Sequence, residues 1–293
     1  MTILSCFRLC FFLLAIFSNF VYSFQIDEKA LDRFANELSE QHDFNREEIR
    51  EILNMAEGSK KIIGLMSRPA EKTKTWQEYR KIFVTSTKLK QGCKFWTNNK
   101  GSLRKAREVY GVPESIIAAI IGIETIYGAN TGNHRLLDSL PTLAFHYPGG
   151  NLKRRKFFRY QLKEFFLLAR EEDLDIRGLR GSYAGAIGIP QFMPNNYRKL
   201  AVDFDGDGQR DIKNSPEDAI GSVGNYLKHH GWQRNGLVYL DAQLREGSVL
   251  KIETNTAKPV VALEALDALI FDAAGISGET PVSVLQFEEG GSL

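Results

Sequence analysis

The chain has 293 residues, 43% hydrophobic and 25% charged, with a formal net charge of +2. This is globular composition with room for a large core and one or two domains. A charge so close to balance supplies no global field for nucleic acid, and no RNA- or DNA-binding signature is present.

Met1 to Ser23 carry one positive side chain, Arg8, and an apolar run from Leu9 to Phe17. Val21 and Ser23 are small enough for a signal-peptidase site, so residues 1–23 are expected to be a secretory signal peptide. The apolar run is short for a membrane span, and the other reading is an uncleaved N-terminal anchor. A lipoprotein is poorly supported, because Cys6 comes early and Cys10 follows Leu9. Cleavage leaves Cys93 alone, which rules out an intramolecular disulfide. An exported chain of this kind relies on its core, helped by a metal where one binds. Cys93, in Q-G-C-K-F-W, is expected to be a packed thiol.

Residues 27–130 read as mostly helical. Ala30, Leu31, Phe34 and Leu38 form an apolar stripe. Asn45, with Glu48 three residues on, opens a helix over residues 46–56. A short helix over residues 102–110 closes at Gly111, and Pro113 starts another that ends near Tyr127 and Gly128. Residues 157–171 form an amphipathic helix, and Ser215 with Pro216 opens one that runs to about His230. Beyond Trp232, alternating runs at Val249–Ile252 and Val282–Leu285 predict a small strand-containing part.

Within this frame Glu124 stands out. It ends a charge-free stretch from Ile116 to Ile123. A carboxylate there is costly to ionise, so its pKa rises, which suits a general acid near neutral pH. The plainer reading is a helix-end Glu turned to solvent. Lys153, Arg154, Arg155 and Lys156, beside Phe157 and Phe158, form either a solvated helix start or a holder for an anionic carboxyl group. The Gly-rich run from Gly181 to Pro194 lets backbone approach a ligand closely, with Ser182 and Gln191 as polar groups to orient it; a tight packing loop is the alternative. Tyr79, Trp76, Tyr127 and Tyr226 are aromatics of the kind that stack on sugar rings, although such residues also serve as core.

The most specific local motif is D-F-D-G-D-G, residues 203–208. Asp203, Asp205 and Asp207 offer hard oxygen ligands at alternate positions, Gln209 offers its carbonyl, and Gly208 stands where a calcium loop turns sharply. The twelfth position is Asn214 rather than Glu, so Glu217 or Asp218 is expected to close the loop. Three carboxylates would repel one another without a cation, and Ca²⁺ suits them better than Mg²⁺. The histidines show no zinc pattern, and no G-x-S-x-G motif is present.

Taken together, G-I-E-T-I-Y-G, G-S-Y-A-G-A-I-G-I-P-Q-F-M-P, D-F-D-G-D-G and D-A-I-G-S-V-G-N-Y-L-K-H-H-G-W resemble the lytic murein transglycosylase B family over roughly residues 27–290. The resemblance implies an α+β, mainly helical fold: a helical part at 24–100, a lysozyme-like core with a calcium loop at 101–235, and a small β subdomain at 236–293. It implies Glu124 as the sole acid/base, cleaving peptidoglycan between N-acetylmuramic acid and N-acetylglucosamine without water and leaving 1,6-anhydromuramoyl ends. It places Tyr79, Tyr127, Arg154, Arg155, Ser182, Gln191 and Tyr226 along the substrate groove. It assigns Asp203, Asp205, Asp207, Gln209 and Asp218 to a structural Ca²⁺. It further implies an exported, periplasmic monomer, membrane-associated at the N-terminus if the leader is retained. Glycan strands are its expected partner, with cell-wall synthesis proteins as further candidates. Pro148–Leu152, just before the Arg pair, resembles a local insertion. Two further departures are visible. The stretch from Asp207 to Asp218 is one residue longer than the family pattern, which leaves the last ligand open between Glu217 and Asp218. The family's aromatic, Asn-containing C-terminal segment has no counterpart before Leu293. The chain is therefore expected to be truncated, or the groove completed in another way.

Overall fold

The computed structural model describes residues 25–67, 75–255 and 259–286; the expected signal peptide and the last seven residues, 287–293, lie outside them. Helix α1 (Glu28–His42) starts where the Asp27 side chain accepts the Ala30 amide at 3.0 Å, and Leu31, Phe34, Ala35 and Leu38 are its buried face. Asn45 caps α2 (Arg46–Asn54) by accepting the Glu47 and Glu48 amides. Next come α3 (Lys60–Ser67), α4 (Trp76–Phe83), α5 (Ser86–Asn98) and α6 (Lys100–Tyr110). Thr75 and Glu78 form a reciprocal capping box on α4. Gly111, at φ 74°, ends α6 in the left-handed conformation that glycine adopts without strain.

The central helix is α7 (Glu114–Thr125), followed by β1 (His134–Arg135), α8 (Leu136–His146), α9 (Leu152–Glu171), β2 (Arg180–Gly181), α10 (Pro194–Leu200) and α11 (Pro216–His229). β1 and β2 pair antiparallel, with His134 opposite Gly181. In the C-terminal part, β3 (Gln243–Leu244) pairs with β5 (Leu269–Ile270), and β4 (Val261–Ala262) with β6 (Pro281–Val282). The class is α+β and mainly helical. No described helix is long and apolar enough to cross a membrane.

Two large apolar clusters position the site. One joins α1, α2, α8, α9 and α10 through Phe34, Leu140, Phe158, Phe165, Phe166 and Tyr197. The other joins α6, α7 and α11 through Leu103, Ile117, Ile121, Ala219 and Val223. A third, small cluster of Leu263, Leu266 and Leu269 supports the C-terminal strands.

Three expectations change. Helix α9 begins at Leu152 rather than Phe157, because the Asn151 side chain caps it at the Arg154 amide, 3.0 Å away. Val249–Ile252 is not a strand: Val249 is exposed, and the strand pairs in this part are only two residues long. Cys93 is exposed on α5 rather than packed.

Phe34 meets Phe145 and Phe166 at ring-centroid distances of 6.1 and 6.0 Å, beneath the Arg159 guanidinium. Phe34→Ala should therefore destabilise the fold by about 3–5 kcal/mol. Urea or thermal unfolding reads this directly, and an unchanged midpoint would contradict the packing.

Candidate active site

Helix α7 has no charged residue between Ser115 and Glu124, and Ile117, Ala118, Ile121, Gly122 and Thr125 are buried. Its end is abrupt. Ile126 and Tyr127 both take positive φ, 54° and 59°, which is costly for side chains of this kind. Thr125, fully buried, compensates. Its hydroxyl donates to the Ile189 carbonyl at 2.8 Å and accepts the Gly128 amide at 3.0 Å.

Opposite this helix end the Gly-rich segment doubles back. Ile187 and Phe192 exchange backbone hydrogen bonds of 2.8 and 3.0 Å, leaving Gln191 at φ 52° on the turn between them. The Gln191 side-chain amide donates to the carbonyls of Thr131 and Gly188, at 3.1 and 3.0 Å. A cavity of about 170 Å³ opens between the two elements. Ile120 and Glu124 line it from α7, Pro190, Gln191 and Phe192 from the turn, Asn196 from α10, and Val223, Tyr226 and Leu227 from α11.

Glu124 is the only carboxylate among these lining residues. The residue is exposed, yet its surroundings displace enough water that burial pushes its pKa above the ordinary carboxylate value. No described side chain offers it a compensating ion pair or hydrogen bond. An uncompensated carboxyl facing a small, largely apolar cavity is equipped to deliver a proton and to take one back.

The structure brings Gln191 and Tyr226 to the same cavity as Glu124; the Tyr226 ring also packs on Phe192 and His230, at 5.4 and 4.3 Å. Tyr127 turns the other way. Its ring lies 5.2 Å from Phe95 and covers two glycines, so a Cβ at Gly122 would come within 2.6 Å of it. Tyr79 belongs to an aromatic row with Trp76 and Phe83 on α4. The Arg154 guanidinium lies over Tyr147, Phe157 and Phe158 at 5.4–5.7 Å, and Arg155 beside it is exposed. Ser182 accepts the Ala186 amide at 3.0 Å, which shapes the Gly-rich loop away from the cavity lining. Asn196 is the polar lining residue that the sequence reading did not single out. Its only signal is a polar side chain shortly after Q-F-M-P.

In the acidic loop, Asp203 accepts the amides of Gly206, Asp207 and Gly208 at 2.7, 3.1 and 2.8 Å. Gly206 and Gly208 supply the turns with φ 88° and 90°. Asp218, 1% exposed, accepts the Phe204, Asp205 and Asp211 amides. Carboxylate oxygens of Asp203, Asp205 and Asp218 lie within 4.8 Å of one another, and no ion pair with a basic side chain is found at them among the described residues. Converging hard oxygens of this kind fit a divalent cation such as Ca²⁺. Asp207 accepts the Gln209 amide at 2.8 Å, and neither it nor Glu217 joins the cluster.

Comparison with known proteins gives the family. Residues 27–285 match the transglycosylase SLT domain family, and the chain belongs to it. It is 41% identical over 215 residues to membrane-bound lytic murein transglycosylase B of Escherichia coli (strain K12), which covers 70% of this chain and 58% of that protein. The chain thus spans well under two thirds of that relative's length. It superposes on the catenated lytic transglycosylase SltB1 from Pseudomonas aeruginosa with a TM-score of 0.83 at 39% identity, over 89% of this chain and 85% of that one. The Escherichia coli lytic transglycosylase Slt35 in complex with calcium gives 0.77 at 35%, over 88% and 80%.

The raised pKa of Glu124 has a consequence for stability. A carboxyl that binds its proton more tightly when folded loses stability as pH rises from the unfolded-state pKa through the folded one. Glu124→Gln should therefore melt at the same temperature as the parent, or higher, at pH 7. The advantage should disappear below the ordinary carboxylate range. Thermal unfolding across pH 3–8 checks this, and a variant less stable at pH 7 would contradict it.

Proposed function

We propose that this chain is a peptidoglycan lytic transglycosylase in which Glu124 acts alone, first as acid and then as base. The observation that carries this reading is the single carboxyl in the cavity lining. Glycoside hydrolysis ordinarily takes two carboxyl groups flanking the bond, about 5–9.5 Å apart. Here a partner must come from the substrate. The Glu124 carboxyl gives its proton to the glycosidic oxygen as the bond to muramoyl C1 breaks. The muramoyl C6 hydroxyl then bonds to C1 and returns its proton to the Glu124 carboxylate. A 1,6-anhydro ring results and no water is consumed. The attack is intramolecular, so proximity supplies much of what a second side chain would otherwise provide.

Gln191 and Tyr226 border the reacting sugars in this reading. Ser182 holds the Gly-rich loop behind them. Arg154 and Arg155 offer cations for the anionic groups of the glycan strand, and Tyr79 adds aromatic surface along the groove. Tyr127, packed on Phe95, Gly92 and Gly122, backs the helix end that carries Glu124. A Ca²⁺ held by Asp203, Asp205 and Asp218, with Asp207 and Gln209 completing its shell, would fix the acidic loop and not enter the chemistry. The substrate places the protein outside the cytoplasm, at the cell wall.

Digestion of purified peptidoglycan, followed by mass spectrometry of the released fragments, tests the activity. Anhydromuramoyl ends are expected. Products heavier by one water would identify a hydrolytic muramidase, and binding without release would identify a non-catalytic protein. Glu124→Gln should lower turnover by at least about 10²-fold while the protein still pellets with peptidoglycan. For the loop, Ca²⁺ at about 100 times its dissociation constant should add about 2.7 kcal/mol of stability. Asp203→Asn should abolish that gain, and a melting temperature indifferent to chelator would remove the metal from the account.

A further inference from the structure

We propose that Thr125 is a positioning residue: its buried hydroxyl, bonded to the Ile189 carbonyl, sets the Glu124 carboxyl against the Gln191 turn. This rests on the assignment of Glu124 made above. The bond joins positions 64 residues apart in sequence, 2.8 Å apart in space. Glu124 immediately precedes one end of it, and Pro190 and Gln191 immediately follow the other. The two opposed walls of the cavity are therefore each within two residues of one hydrogen bond.

Neither end is free to drift separately. Ile189 donates its own amide to the Ile212 carbonyl at 2.9 Å, so the carbonyl that receives Thr125 is held from behind. Thr125 also accepts the Gly128 amide at 3.0 Å, which locks the reversal through Ile126 and Tyr127. Those two residues occupy a conformation that they would leave if released. Without the hydroxyl, the last turn of α7 keeps its backbone bonds from Ile126 to Gly122 and from Tyr127 to Ile121. It loses its tie to the Gln191 turn, so the two walls can shift relative to each other and Glu124 moves with its own. A hydroxyl has one proton, and the 2.8 Å contact to Ile189 takes it ahead of the 3.4 Å contact to Ile121 within the helix. Valine has nearly the same shape but cannot make either bond. Serine can make both.

The experiment compares Thr125→Val and Thr125→Ser in the full chain, well below the melting temperature, with folding checked by circular dichroism. Turnover of soluble glycan strands is measured with kcat and KM separated. The valine variant should lose about 10- to 100-fold in kcat, the scale of a displacement near 1 Å, with KM changed less than about twofold. The serine variant should recover to within about threefold of the parent. A folded valine variant with parental kcat would overturn the proposal, and so would a serine variant as slow as valine. If valine does not fold, Thr125→Ala takes its place. Failure of both to fold would show a structural role alone and overturn the proposal as well. Full turnover by Glu124→Gln would instead defeat the assignment of Glu124, an outcome read from a different variant.

Discussion

At Gly181, Gly185 and Gly188, backbone lies directly against neighbouring atoms, with no room for a side chain. A Cβ on Gly181 would meet the Ala186 carbonyl and Leu136, and one on Gly188 would lie 2.5 Å from the Ile212 carbonyl. Gly132 faces the Gly181 carbonyl in the same way. Gly185 and Gly188 also need positive φ, 87° and 72°. These close approaches seat the segment between α8 and the chain leading from the acidic loop. The turn at Pro190 and Gln191 is thereby delivered to the end of α7. The cavity is the space left where that turn meets α7, with α10 and α11 completing its walls.

The electrostatics of the cavity contrast with those of the rest of the fold. Elsewhere, shielded carboxylates are matched. Arg198 pairs with Glu164 at 2.5 Å and Glu171 at 2.6 Å, and it holds the Glu171 pKa below the ordinary value. Arg210 pairs with Glu172. Asp218 has three backbone amides, although burial and the neighbouring Asp205 still raise its pKa. Glu124 has no such partner among the described residues, and partial shielding from water raises its pKa. Leaving Glu124 without a partner costs stability at neutral pH, which fits a working residue better than a structural one.

Much of this was legible in sequence, because the relevant signals are local. Asn45, Gly111 and Ser215 mark helix ends by their own side-chain or backbone chemistry, and the structure uses them so. Glu124 and Gln191 stand out against apolar and Gly-rich surroundings. What escaped depends on tertiary neighbours. Helix α8 is buried nearly all round and contains Pro141, so it shows neither an amphipathic stripe nor a clean propensity. Tyr127 and Tyr226 look alike in sequence. The left-handed turn sends Tyr127 toward α5, whereas Tyr226 reaches the cavity from the middle of α11. Asn196 joins the site only because α9 and α10 pack against each other, and no local pattern reports that.

A run of hydrogen bonds and packing contacts joins the acidic loop to the cavity. Asp218 takes the amides of Phe204 and Asp211, each at 2.7 Å, so one buried carboxylate gathers both ends of the loop. Phe204 packs over Gly221 on α11 and near Tyr110 on α6, and Lys105 reaches its carbonyl. Ile212, next to Asp211, accepts the amide of Ile189, and Ile189 accepts the hydroxyl of Thr125. Backbone groups thus run in short steps from the converging carboxylates to the residue beside Glu124. The protein's own donors already fold the loop. A cation there would relieve the repulsion among Asp203, Asp205 and Asp218 and so stiffen the first link of that chain. In the proposed function, a cation held by hard oxygens at one end would in this way steady Glu124 at the other without approaching the substrate.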